Sequence, residues 1–177
     1  MTCSYRVAAD TWLGLARSAP GAPMVPRQRH LVDQQAAARA ERAARAASGL
    51  GQDHYSVSRS HTQGMGAAVV APADARLGVD LGSIARVRDR HATAILNPTE
   101  WTALEPHARI RPALGWGLKE AAAKASGEPL RHFPDGLLIE AEADVVRVRV
   151  ADQPELCFLA RWIRFGDLLC VWVRQAG

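Results

Sequence analysis

Hydrophobic and polar positions change their period along the chain. Residues 31–51 are rich in alanine and carry regularly placed arginines, which predicts one helix, with Asp33 capping its start and Gly49 or Gly51 ending it. Residues 54–82 then contain three short apolar or alternating runs bounded by glycine and proline. Such runs predict short strands separated by turns.

The second half predicts helices followed by a sheet. In residues 110–127, Pro112 suits the first turn of a helix and Gly127 suits its end. A shorter helix is predicted just before it, with Thr99 as its cap. Residues 144–151 alternate valine and arginine with period two, and the later apolar runs are strand-like. The last third therefore predicts a meander of three or four antiparallel strands.

This order of elements, helix, strands, helix, strands, predicts an α+β fold rather than a doubly wound parallel sheet. Residues 18–26 hold three prolines and a glycine, which predict an irregular segment. No internal sequence repeat is apparent.

Composition narrows the class of protein. With 48% hydrophobic residues, the 177-residue chain can bury a substantial core, as one domain or a fused pair of small half-domains. The net charge of +4 favours anionic partners such as nucleotides, acidic proteins or nucleic acid, without choosing among them. Residues 1–23 lack a continuous apolar core behind a basic start, and no later stretch resembles a membrane span. We therefore expect neither secretion nor a membrane partner.

The cysteines Cys3, Cys157 and Cys170 are widely spaced and show no CxxC or Cys/His ligand spacing. They imply neither a disulfide framework nor a zinc site. A reducing cytoplasm fits this cysteine usage best, so we expect a cytoplasmic protein.

The candidate chemistry centres on Lys119 and Lys124, the two lysines of a chain that otherwise uses arginine for its basic positions. Two explanations fit this pattern. One is compositional drift toward arginine, and the other is a site that needs a compact ammonium on a flexible stem. In the predicted helix, Trp116, Glu120 and Lys124 lie four apart and share one face. On spacing, Glu120 and Lys124 also fit an ordinary stabilising surface pair.

Two further segments add polar residues. Asp80 lies in the apolar stretch LGVDLG, where a carboxylate costs free energy unless it is exposed, paired or bound to a cation. Ser60 and His61 end a predicted strand just before a glycine turn. Taken singly, such a histidine is usually a surface residue or a satisfied core residue.

In chain order, these segments resemble the signature of the 4′-phosphopantetheinyl transferase superfamily. The matching residues are SRSH (58–61), GVD (78–80) and WGLKEAAAK (116–124), of which the last is the most specific. The resemblance implies an α+β, pseudo-two-fold phosphopantetheinyl transferase-like fold, with small antiparallel sheets, packed helices and a shortened first half.

On this basis we divide the chain into three parts. They are an irregular lead-in over residues 1–26, a shortened first half-domain over 27–75 and a second half-domain over 76–177. The two-half form implies a monomer rather than the trimer of small family members.

The resemblance implies transfer of 4′-phosphopantetheine from coenzyme A to a serine of an acyl or peptidyl carrier protein. Asp80 and Glu120 would hold Mg²⁺, with water and substrate phosphate as its other ligands. Glu120 would also accept the proton of the carrier serine, and Lys124 would stabilise charge on the phosphoryl oxygens.

Ser60 and His61 match the phosphate-contacting pair of the family. Lys119 is either a contact to a coenzyme A phosphate or a solvated flank of the helix. Gly82 stands where many larger members carry a second acid, and since glycine has no side-chain ligand, its presence should weaken the metal site.

Two other interpretations stay open. A degenerate, non-catalytic family member would bind coenzyme A or a carrier protein without transferring anything, as Gly82 and the short first half suggest. A basic nucleic-acid-binding domain would explain the arginine-rich helix, but the chain lacks a recognisable binding motif, and we expect no nucleic-acid partner.

Overall fold

The computed structural model describes residues 2–18, 26–50, 54–87 and 93–176, with only the backbone for 26–29 and 130. The chain divides into two compact units, Met1–Ala75 and Arg76–Gly177. In each unit, one long helix packs on one face of an antiparallel sheet.

The first unit contains a four-stranded sheet and a long helix. Its elements are β1 (Thr2–Ala8), β2 (Thr11–Arg17), α1 (Pro26–Ser48), β3 (Tyr55–Thr62) and β4 (Met65–Pro72). The strands are ordered β1-β2-β4-β3, and all pairs are antiparallel. Alanines form the buried side of α1 and let it lie close to the sheet: Ala36, Ala37, Ala40 and Ala44.

Two predictions for the first unit are wrong. The irregular lead-in is contradicted by β1 and β2, which form an antiparallel pair over residues 2–17. Asp33 does not cap the helix, because α1 begins earlier, at Pro26. The Asp33 carboxylate instead accepts a hydrogen bond from the Gly64 N–H at 2.6 Å, in the turn between β3 and β4.

The predicted end of α1 is confirmed at Gly49, whose φ of +68° is left-handed and favours glycine. Gly51 and residues 19–25 lie outside the described residues.

The second unit contains a five-stranded sheet and three helices in its described part. Its elements are β5 (Leu77–Ser83), α2 (Pro98–Ala103), α3 (Arg111–Ser126), α4 (Pro129–His132), β6 (Leu137–Glu142), β7 (Val145–Val150), β8 (Gln153–Phe165) and β9 (Leu168–Gln175). The strands are ordered β5-β9-β8-β7-β6. The predicted antiparallel meander is therefore confirmed as β6 to β9, with α3 packed on the sheet.

The predicted ends of α3 are confirmed, whereas the predicted cap of α2 is wrong. Pro112 lies in the first turn of α3, and Gly127 ends this helix with a φ of +82°, as predicted. Helix α2 is capped by Asn97 rather than by Thr99. Because Pro98 follows it, Asn97 is held in extended backbone, the conformation that a cap residue needs.

The two units share one chain path. In each, the strand before the long helix (β2 or β5) pairs with the last strand (β4 or β9) of the antiparallel meander that follows the helix, and the first unit adds β1 at its start. The meander has two strands in the first unit (β3 and β4) and four in the second. The predicted α+β class, with two small antiparallel sheets, packed helices and a shortened first half, is confirmed.

Equivalent glycines set the helix-to-sheet distance in both units. A Cβ on Gly14 of β2 would lie 1.9 Å from the Ala40 carbonyl oxygen, and a Cβ on Gly78 of β5 would lie 1.9 Å from that of Ala121. Only glycine permits backbone contact this close.

Gly78→Ala is therefore expected to lower the free energy of unfolding by about 3 kcal/mol, because the clash is with backbone and can be relieved only by moving α3 off β5. Gly82→Ala is the matched control on the same face of the strand, where the nearest atom to an added Cβ is 3.8 Å away. Urea unfolding of both variants measures the difference. Equal losses would contradict the assigned close contact.

Candidate functional site

The GVD and WGLKEAAAK segments meet in the second unit. β5 is an edge strand that pairs with β9. Because side chains alternate along a strand, Gly78, Asp80 and Gly82 share the face that Gly78 turns toward α3. The close approach at Gly78 brings the Lys124 ammonium to this strand, where Nζ donates to the Val79 carbonyl oxygen at 2.9 Å.

Lys124 forms an ion pair across the two elements. Its Nζ lies 3.2 Å from Asp80 Oδ1, and the two side chains are 29% and 14% exposed. Lys124 therefore pairs with a carboxylate of β5 and not with Glu120 of its own helix. The interpretation of Glu120 and Lys124 as an ordinary helix surface pair is wrong.

Glu120 lies within electrostatic reach of the same group. It is partly buried, and its pKa is raised, first by burial and then by the negative charge of Asp80, while Lys124 partly opposes the shift. When the negative charge of one carboxylate raises the pKa of another, a cation bound to both stabilises their charged forms. The charge of Asp80 therefore acts directly on Glu120.

The donor set fits a divalent cation that also binds substrate. In the described ranges, no group of three or more His, Cys, Asp or Glu residues is placed to hold a metal. Mg²⁺ commonly takes one or two carboxylates and completes its shell with water and substrate phosphate. Gly82 leaves room here, since the nearest atom to an added Cβ would be Asp80 Oδ2 at 3.8 Å, whereas an added Cβ on Gly117 would lie 2.8 Å from Val171.

Lys119 occupies a different environment from the one predicted. Its Nζ lies 3.0 Å from Glu100 Oε2 and donates to the Pro134 carbonyl oxygen at 3.2 Å. The two paired side chains are only 3% and 2% exposed. The solvated-flank interpretation is wrong, and the burial of this ammonium beside Glu100 disfavours contact with a coenzyme A phosphate. We therefore assign Lys119 a structural role.

Glu100, which sequence reasoning did not single out, joins three elements. Its Oε2 accepts hydrogen bonds from Asn97 N–H at 2.9 Å and from Lys119, and its Oε1 accepts one from Ile139 N–H at 2.9 Å. It thereby ties α2 to α3 and to β6. The NPTE stretch carries a capping-box pattern that could have identified the helix start, but the partners on α3 and β6 are not visible in it.

Ser60 and His61 lie near the end of β3, in the first unit. Ser60 is buried, and the ring of His61 meets the ring of His30 on α1 edge-on, with centroids 5.2 Å apart. The following turn is anchored by Ser18, whose Oγ donates to the Gly64 carbonyl oxygen at 2.6 Å. Ser60 and His61 thus lie next to a turn of the first unit that is held by side-chain hydrogen bonds.

Trp116 packs at the edge of the core. Its ring meets that of Phe133 edge-on, with centroids 5.5 Å apart. Trp116, the first residue of the helix motif, is therefore assigned to packing.

Comparison with models of protein families finds a match to the 4′-phosphopantetheinyl transferase superfamily over residues 76–164. The match spans half of the chain and includes Asp80, Glu120 and Lys124, so the protein belongs to this superfamily. Membership supports phosphopantetheine transfer in general, with coenzyme A as the substrate used in this family. Among curated proteins, nothing matches.

None of the helices in the described ranges combines the length and the apolar character that crossing a membrane requires.

The two lysines are expected to respond differently to removal of their charge. Lys119→Met should lower the free energy of unfolding by about 3–5 kcal/mol, because it leaves Glu100 charged and buried. Lys124→Met should cost about 1 kcal/mol, because its pair is partly exposed. Urea unfolding of both variants checks this, and similar losses would refute the structural role of Lys119. The double variant Lys119→Met/Glu100→Gln should recover part of the loss.

Glu120→Gln is expected to stabilise the fold at neutral pH. Because the pKa of Glu120 is raised in the folded protein, wild type loses stability relative to the variant as pH rises through that pKa. The difference should vanish below about pH 4, where the carboxyl is protonated in both folded and unfolded chains. Unfolding free energies measured from pH 3 to 8 test this, with exposed Glu155→Gln on β8 as the control.

Proposed function

We propose that the protein is a holo-carrier-protein synthase that transfers 4′-phosphopantetheine from coenzyme A to a serine of an acyl or peptidyl carrier protein, with Mg²⁺. The main support is the placement of Asp80, Glu120 and Lys124, from a strand and a helix, at one site within the family-matched segment.

Asp80 and Glu120 are the residues proposed to hold Mg²⁺, which when bound neutralises the diphosphate of coenzyme A and polarises the phosphorus–oxygen bond that breaks. The carrier serine oxygen forms a bond to the phosphorus that bears the pantetheine arm. Adenosine 3′,5′-bisphosphate departs with the electron pair of the broken bond.

Glu120 is proposed to accept the proton that the serine hydroxyl loses. Lys124 is proposed to stabilise charge on the phosphoryl oxygens. Val79 and Asp80 engage two of the three donors of its ammonium, which leaves one for a substrate oxygen.

Ser60 and His61 are proposed as phosphate-contacting residues of the first unit. A hydroxyl and an imidazole both donate hydrogen bonds to phosphate oxygens. The net charge of +4 suits coenzyme A and acidic carrier proteins alike. We further propose a cytoplasmic monomer, since cysteine usage fits a reducing compartment and the two-unit topology supplies both halves within one chain.

A second candidate function is binding of coenzyme A or a carrier protein without transfer. Gly82 favours it, because no side chain there adds a third ligand beside Asp80 and Glu120.

One assay separates the two functions. The protein is incubated with coenzyme A, Mg²⁺ and several apo carrier proteins, and intact mass spectrometry follows addition of phosphopantetheine. Addition is expected with wild type and with the control Glu155→Gln, and it should be lost with a chelator or with Glu120→Gln. Binding of coenzyme A without addition would support the second function, and absence of both would contradict the two together.

Lys124→Arg adds a finer test in the same assay. The guanidinium keeps the charge but is planar and longer, so it cannot occupy the ammonium position between Val79 and Asp80. We expect at least a tenfold loss of turnover. Near-normal turnover would remove the explanation for a lysine here.

A further inference from the structure

The turn between β8 and β9 lies against the end of the strand that carries Asp80. Gly166, with a φ of +63°, and Asp167 form a two-residue connection, since Phe165 pairs directly with Leu168. A glycine followed by aspartate is ordinary turn chemistry, and the sequence indicates nothing more. In the folded chain, however, Asp167 reaches the segment that follows β5.

Asp167 bonds three consecutive residues of that segment. Ser83 Oγ donates to its Oδ2 at 2.5 Å, and Ala85 N–H donates to its Oδ1 at 3.1 Å. The Ile84 N–H donates to its carbonyl oxygen at 2.8 Å. Ser83 is itself buried, so the bond to its hydroxyl is sheltered from competing water. One turn residue thus holds the whole exit of β5.

β5 depends on this contact more than an interior strand would. It lies at the edge of its sheet and has β9 as its hydrogen-bonded neighbour. Asp80 is followed by Leu81 and then by Gly82, which offers no side chain to pack. A strand end with one neighbour and a glycine is prone to fray, and fraying here would move the carboxylate of Asp80.

We propose that Asp167 is a positioning residue for the cation site. By fixing Ser83 to Ala85, it holds the end of β5 so that Asp80 stays beside Glu120 and Lys124. Groups that orient metal-binding carboxylates without touching the metal commonly govern metal affinity. The proposal rests on the proposed function, because it takes Asp80 and Glu120 as the cation ligands.

The same sheet supplies a matched control. The turn between β6 and β7 is also a two-residue connection, since Glu142 pairs with Val145, and Ala143 has a φ of +50°. Asp144 is the second residue of this turn, as Asp167 is the second residue of the turn between β8 and β9. The Asp144 side chain is exposed, and no hydrogen bond or ion pair joins it to the described residues.

The experiment compares Asp167→Ala with Asp144→Ala. Binding of Mn²⁺ is titrated by the electron paramagnetic resonance signal of the free ion, and the Mg²⁺ concentration for half-maximal transfer is measured separately. Asp167→Ala is expected to raise both the Mn²⁺ Kd and the half-maximal Mg²⁺ concentration about tenfold, whereas Asp144→Ala leaves both unchanged. Asp167→Asn, which keeps the shape and an acceptor oxygen, should recover most of the affinity.

Thermal unfolding of each variant separates positioning from simple stabilisation. A lower melting temperature for Asp167→Ala with unchanged Mn²⁺ affinity would overturn the proposal. If that variant fails to fold, Ser83→Ala removes one of the three bonds and should raise the Mn²⁺ Kd by a smaller factor; an unchanged Kd would again overturn it. Wild-type protein that binds Mn²⁺ without transfer would contradict the proposed function, while the Mn²⁺ comparison still decides the role of Asp167.

Discussion

The backbone contact between Gly78 of β5 and Ala121 of α3 sets the geometry on which the site depends. With no side chain between them, the helix lies close enough for Lys124 to reach both the Val79 carbonyl oxygen and Asp80. A helix held farther out would lengthen both of these contacts unless the lysine side chain extended to follow the strand. The catalytic proposal therefore depends on a glycine that itself has no chemistry to offer.

The same scaffold occurs in the first unit without the same chemistry. Aligning Gly14 with Gly78 and Ala40 with Ala121, through their shared contact, places Ala16 at the position of Asp80 and Arg39 at that of Glu120. The small residues that set packing are kept, whereas the charged residues are not. The two units therefore share a chain path without an apparent sequence repeat.

The two lysines serve different purposes on one helix. Lys119 is buried with Glu100, which also accepts a hydrogen bond from β6, while Lys124 is partly exposed beside Asp80. Beside Lys124, the carboxylates of Asp80 and Glu120 repel each other. This repulsion and the burial of Glu120 both raise the pKa of Glu120. Such an arrangement costs stability in the isolated protein, and a bound cation would offset the cost.

The sequence by itself determined the features that depend on neighbours along the chain. The ends of α3 at Pro112 and Gly127, the meander and the stripe of Glu120 and Lys124 follow from capping and periodicity, which act within a turn or two. Tertiary structure decided the rest: the β1–β2 pairing, the partner of Lys119 and the contacts of Asp167. The partners of Lys119 and Asp167 lie 19 and 84 residues away along the chain. The β1–β2 pair is local, but the burial of β2 is fixed only when α1 packs on the sheet.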